Sequence, residues 1–271
     1  MRKIRNLEVM LFSLVLFVGM VLSNGVDAAE KPGVTVVRVG VNNNFKPIGF
    51  RDENNKLTGY DVEVIKEVDR RLPEYDFELD GVDSPSNFLG IDTGKYAFGS
   101  SSFFKNPDRE KKYLFPDENH GVVLVRIMVK KDRNDINTIE DLVGKSLCPH
   151  PPGDGIYTII KNYNDSHPDK QVKLVAIDQA SVTPATSLKW VADGRYDAEI
   201  IGSMIFYTVQ KELNLPLKLT GVVSKSPTYF VMNKSQTELK TKIDKVLIEM
   251  KKDGTLSKLA VQWIGEDVFK Y

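Results

Sequence analysis

The chain has 271 residues, 41% of them hydrophobic and 27% charged, with 37 lysines plus arginines against 37 aspartates plus glutamates. That composition describes an ordinary soluble globular protein, long enough for two modest domains or one large one. Zero net charge and the lack of any basic block exclude a field that would gather nucleic acid.

The amino terminus reads as a secretory signal peptide over residues 1–29. Met1-Arg2-Lys3-Ile4-Arg5 is basic, 9–22 is nearly unbroken apolar sequence, and Val26-Asp27-Ala28-Ala29 supplies a small-residue exit. The apolar run is shorter than the roughly 20 residues a spanning helix needs. No cysteine follows it for lipid attachment, which leans the mature protein toward the periplasm. Cys148 is the sole cysteine, so an internal disulfide is impossible and stability must come from the core.

Alternation of apolar and polar residues predicts a first strand over 34–41, broken by Asn42-Asn43-Asn44-Phe45-Lys46-Pro47. Loops at the carboxyl ends of such strands gather ligands, so Phe45 is either a stacking wall for a solute or a loop anchor in the core. A polar hairpin over 50–57 precedes a helix that Asp61 is placed to cap and Pro73 ends. A strand over 75–79, a short helix over 87–92 and a strand over 97–102 follow. This rhythm predicts a parallel sheet with crossover helices.

The last of these strands runs into Ser100-Ser101-Ser102-Phe103-Phe104-Lys105-Asn106-Pro107-Asp108-Arg109. Short hydroxyls and an arginine fork suit the acid group of a small solute. By itself the stretch reads more simply as a polar loop followed by the solvated first turn of a helix. Beyond it come a β-branched strand over 122–129 and a brief helix boxed by Thr138. A strand over 145–148 and a helix over 156–163 are next, then a strand over 172–177, a helix over 181–193 and a strand over 197–201. A strand over 227–232 returns before amphipathic helices over 239–250 and 257–263. There is no glycine-rich phosphate loop, nucleophile elbow or histidine–cysteine metal spacing, so no cofactor and no metal site is expected. His120, His150 and His167 read as scattered surface histidines.

Several segments together resemble the bacterial extracellular solute-binding proteins of the polar amino-acid ABC transporter family (family 3). They are Gly40-Val41-Asn42-Asn43-Asn44-Phe45-Lys46-Pro47, Lys56-Leu57-Thr58-Gly59-Tyr60-Asp61, and Gly94-Lys95-Tyr96-Ala97 through Ser101-Ser102 to Arg109. Ile139-Glu140-Asp141-Leu142-Val143-Gly144-Lys145, Asp193-Gly194-Arg195-Tyr196-Asp197-Ala198 and Lys252-Asp253-Gly254-Thr255-Leu256 continue the series in order. The character of 87–115 resembles the branch that binds cystine and related sulfur compounds.

The resemblance implies an α/β fold of the two-lobed periplasmic-binding-protein type II, with two crossover hinge strands. Lobe 1 would be 30–121 plus 222–271, and lobe 2 would be 122–221. It implies a monomer that is not an enzyme, holds a small solute in the cleft and passes it to an ABC transporter permease. Ligand contacts carried over are Arg109 to a carboxylate, Ser101 and Ser102 to polar groups, Phe45 and Asn42 to the solute body, and Gly153 with Asp154 in the second lobe. The chain departs from the pattern at Gly202, where relatives commonly carry an aspartate for the ligand ammonium. It departs again at Asp154, where a hydroxyl is usual, and at Ala97. Two alternatives share the fold: a periplasmic enzyme of the cyclohexadienyl dehydratase kind, using Asp154 or Glu199, and a sensor or adhesion protein that lost its ligand site.

Overall fold

A computed structural model describes residues 33–152, 154–177 and 182–271. The expected signal peptide and Gly153 lie outside the described residues. In chain order the strands and helices begin with β1 (Thr35–Asn42), β2 (Asn44–Phe45), β3 (Gly49–Arg51), β4 (Leu57–Thr58) and α1 (Tyr60–Arg71). Then come β5 (Tyr75–Val82), α2 (Ser84–Asp92), β6 (Phe98–Phe103), α3 (Pro107–Lys112) and β7 (Gly121–Lys130). A 3-10 turn at Glu140–Leu142 leads to α4 (Gly155–Ser166), α5 (Pro184–Ala192), β8 (Glu199–Gly202) and α6 (Ser203–Leu213). β9 (Leu217–Met232), α7 (Thr237–Lys252) and α8 (Thr255–Ile264) close the chain.

The main sheet has strand order β5-β1-β6-β9-β7-β8. β1 pairs in parallel with β5 and β6, as the strand–helix rhythm predicts. The rest departs from that expectation, because β9 runs antiparallel to both β6 and β7, and β8 antiparallel to β7. The cause is β9 itself, a strand of 16 residues that returns from the far end of the chain and joins both halves of the sheet.

Periodicity decides which side chains build each core. Val37, Val39 and Val41 of β1 face Val62, Ile65 and Val68 of α1, and Leu239, Ile243 and Leu247 of α7 complete this first core. β7 is covered on both faces. Ile127 and Val129 enter a core with Leu147, Ile160 and Ile200, while Met128 between them enters another with Leu188, Val191 and Phe206. Alternation along a single strand thus feeds two cores. All of them lie within one compact unit, Val34–Tyr271.

Local details correct several expectations. The segments 145–148 and 172–177 are not strands but isolated bridges, Leu147 to Ala198 and His150 to Ala176. Thr138 does not cap a helix; Asp141 Oδ2 accepts the N–H groups of Asn137 and Thr138 at 2.9 Å each and tightens a 3-10 turn instead. Helix α6 was not anticipated, since Ser203 to Leu213 carries no side-chain capping signal. Asp61 is not the cap of α1, which Gly59 opens. It lies one residue inside the helix and is wholly buried.

A candidate solute cavity between the cores

The carboxyl end of β6 is held from beneath. Asp61 Oδ2 accepts the Ser100 hydroxyl at 2.5 Å and the Ser102 N–H at 3.1 Å. Its Oδ1 lies 3.1 Å from His120 Nε2. His120 is fully buried, stacked on Phe230 at 4.1 Å between ring centroids, and its backbone carbonyl accepts the Tyr60 hydroxyl at 2.5 Å. The expectation of a surface histidine fails here, and at His150, which is also buried. His167 is exposed. Ser102 has φ 50, a left-handed conformation that costs a serine on the order of 1 kcal/mol. The Asp61 bond to its N–H holds that bend in place, and the bend turns Ser101 and Ser102 out of the regular pleat.

These residues border a cavity of about 400 Å³. Phe45, Tyr60, Ser101, Ser102, Phe103 and Arg109 line it from the first core, Gly121 to Leu124 and Thr228 from the connecting strands, and Gly202 to Ile205 from the start of α6. Arg109 reaches it from α3, whose amino end Asn106 caps by accepting the Arg109 N–H at 2.9 Å. The Arg109 guanidinium donates from Nη1 to the Phe104 carbonyl at 2.9 Å and lies 5.2 and 5.6 Å from the ring centroids of Phe88 and Phe103. Among the described residues it has no carboxylate partner. A guanidinium held at the edge of an apolar cavity, without an anion of its own, is suited to accept one.

Of the remaining expected contacts, Asn42 stands behind the lining. Its Nδ2 donates to Ser84 Oγ and Ser101 Oγ at 3.0 Å each, so it orients a serine that does line the cavity. Asp154 caps α4, accepting the Ile156 N–H at 2.6 Å, and does not border the cavity. Thr228 and Ser203, both buried and both lining, were missed by sequence reasoning. Thr228 sits inside a β-branched strand and Ser203 opens an unannounced helix, so neither carried a local signal.

Glu199, the other candidate acid, faces the second half's interior. Its Oε1 lies 3.3 Å from His150 Nε2, and it shares a hydrogen bond with the buried Cys148 thiol. Burial pushes the Glu199 carboxyl from its ordinary 4.5 up to about 8, and raises the Cys148 thiol as well. The folded protein therefore keeps a proton that the unfolded chain loses above 4.5. Stability from this residue is full below that value and is lost as pH rises through about 8. Glu199→Gln, which keeps the shape and cannot ionise, should lose less melting temperature than wild type between pH 5 and pH 8. Parallel melting curves at those two pH values would expose an error in this assignment as equal losses.

Among the described residues, no group of three or more His, Cys, Asp or Glu side chains is placed to hold a metal ion. A mixed sheet continued through β7 and β9, with a cavity lined from both sides of them, is an arrangement suited to holding a small solute. Residues 37–266 match the family model described as bacterial extracellular solute-binding proteins, family 3, and the chain belongs to that family. It is 32% identical over 243 residues to the L-cystine-binding protein TcyK of Bacillus subtilis, covering 89% of this chain and 88% of the relative. It is 30% identical to the L-cystine-binding protein TcyJ of the same organism, covering 97% and 96%. A crystal structure of the probable amino-acid ABC transporter extracellular-binding protein ytmK from Bacillus subtilis superimposes with TM-score 0.70 at 31% identity, covering 86% of this chain and 99% of that one. The sequence resemblance to this family and to its cystine branch is thereby borne out.

Proposed function

We propose that this protein captures an amino acid or a related small polar solute outside the cytoplasmic membrane and delivers it to an ABC importer. The observation that carries the reading is the Arg109 guanidinium, free of any carboxylate among the described residues, beside the buried hydroxyls of Ser101 and Ser102 in one cavity. Its relatives' names support the solute class, L-cystine binding in two of them.

The mechanism follows from where the residues sit. A solute carboxylate pairs with Arg109, Ser101 and Ser102 supply hydrogen bonds, and Phe45 covers the apolar body from the small sheet β2-β3-β4. The separate cores support two lobes, 30–121 with 222–271 and 122–221, turning about β7 and β9 as a monomer closes on its solute. Closure would present the loaded face to a permease. No bond in the solute need change, since Asp154 is committed to its own helix and Glu199 does not line the cavity.

A thermal-shift screen of amino acids, their derivatives and short peptides tests this directly. Ligand at 100 times Kd stabilises a folded state by about 2.7 kcal/mol. At roughly 2–4 °C per kcal/mol for a chain of this size, the melting temperature should rise by about 5–10 °C. A complete screen without one stabiliser would overturn the proposal in favour of a protein that kept the fold and lost the site.

A further inference from the structure

Among the described residues, Arg109 is the only charged side chain that lines the cavity, and no described aspartate or glutamate borders it. A second feature of the same sign lies on the wall formed by α6. That helix of 11 residues opens at Gly202 with no side chain bonding its first turn, so its leading N–H groups and the positive end of its dipole are left at the cavity. Ser203, at the first position, is 1% exposed and lines the cavity, yet its hydroxyl has no partner among the described residues. Thr228, 2% exposed, lines it with a hydroxyl in the same condition. Both hydroxyls are reached from the cavity, so an acceptor placed there can take up their hydrogen bonds.

Glycine at 202 is not demanded by the backbone. Its φ of −61 is open to any residue, and an added Cβ would meet nothing nearer than Ile205 Cδ1 at 3.6 Å. The bare position therefore acts on what enters: it leaves the α6 amides uncovered and withholds a negative charge. An ammonium in this cavity would meet a guanidinium and a helix amino end, with no counter-charge from the described lining beside it. A carboxylate or an amide oxygen would be met by donors from both.

We propose that the solute is an organic anion with hydrogen-bond acceptors at both ends and no free ammonium, of the N-acylated amino-acid type. Its carboxylate pairs with Arg109, and its second acceptor meets the α6 amides and the hydroxyls of Ser203 and Thr228. Gly202 sets this preference. The inference rests on the reading of this cavity as the solute site.

The test is calorimetric titration of the full mature chain with two matched pairs: L-methionine against N-acetyl-L-methionine, and L-cystine against N,N′-diacetyl-L-cystine. In wild type the acylated member of at least one pair should bind at least tenfold tighter than its free counterpart. Gly202→Asp should weaken that member at least tenfold, while Gly202→Ala, which adds no charge, should leave the preference standing. Equal or tighter binding of the free amino acids, lost in Arg109→Ala, overturns the anion preference and leaves the receptor reading intact. Binding of no probe by a folded wild-type protein overturns both.

Discussion

Arg109→Ala should raise the solute Kd by at least about thirtyfold while the protein stays folded. Removing one partner of a desolvated, hydrogen-bonded ion pair costs about 2–5 kcal/mol of binding, and each 1.4 kcal/mol is a factor of ten. The same truncation costs the free protein far less. It forfeits one bond to the Phe104 carbonyl and the stacking on Phe88 and Phe103, together about 1–2 kcal/mol. Calorimetry with the strongest stabiliser from the screen, beside a melting curve, separates the two effects. Arg109→Lys keeps the charge but not the planar fork, so its affinity should fall between the two. Wild-type affinity in the alanine variant would remove Arg109 from the site altogether.

Asp61→Ala should be the most damaging single change outside the cores. Three donors converge on this wholly buried carboxylate: the Ser100 hydroxyl, the Ser102 amide and His120 Nε2. Alanine leaves all three buried and unmatched, at a cost of about 3–5 kcal/mol. The melting temperature should then fall by roughly 6–20 °C, at about 2–4 °C per kcal/mol. Binding should weaken too, because the Ser102 bend that presents two cavity hydroxyls loses its brace. Asp61→Asn, which can still accept from the Ser102 amide, should lose less on both counts. If the alanine variant melted with wild type, the bend would have to be held by its own backbone.

Periodic segments were legible in the sequence because their burial is one-sided. The valines of β1 and the apolar face of α7 announce themselves at spacings of two and of three to four residues. The 3-10 turn, the two isolated bridges and α6 were not, because their ends are set by contacts from elsewhere in the chain. Arg109, Ser101, Ser102 and Phe45 could be named because motif order placed three of them at strand ends and Arg109 in the short helix that follows β6. Asp61 was visible as a residue and misread in role. Its three partners are 39, 41 and 59 positions away, and no local pattern carries that information. Ser203 and Thr228 stayed hidden for the same reason: only the approach of α6 and β9 to β6 gives them a cavity to line.

The way the cores divide the chain also dictates when each can form. The core around β1 draws on residues between Val37 and Leu124 and again between Phe230 and Val268. During synthesis it cannot be completed until Val268 has left the ribosome. The core around Ile127, Ile160 and Ile200 needs nothing beyond Val223 and can close earlier. Contacts of such long separation in the chain slow folding. The first half of the fold therefore waits for a carboxyl-terminal segment that the second does not need.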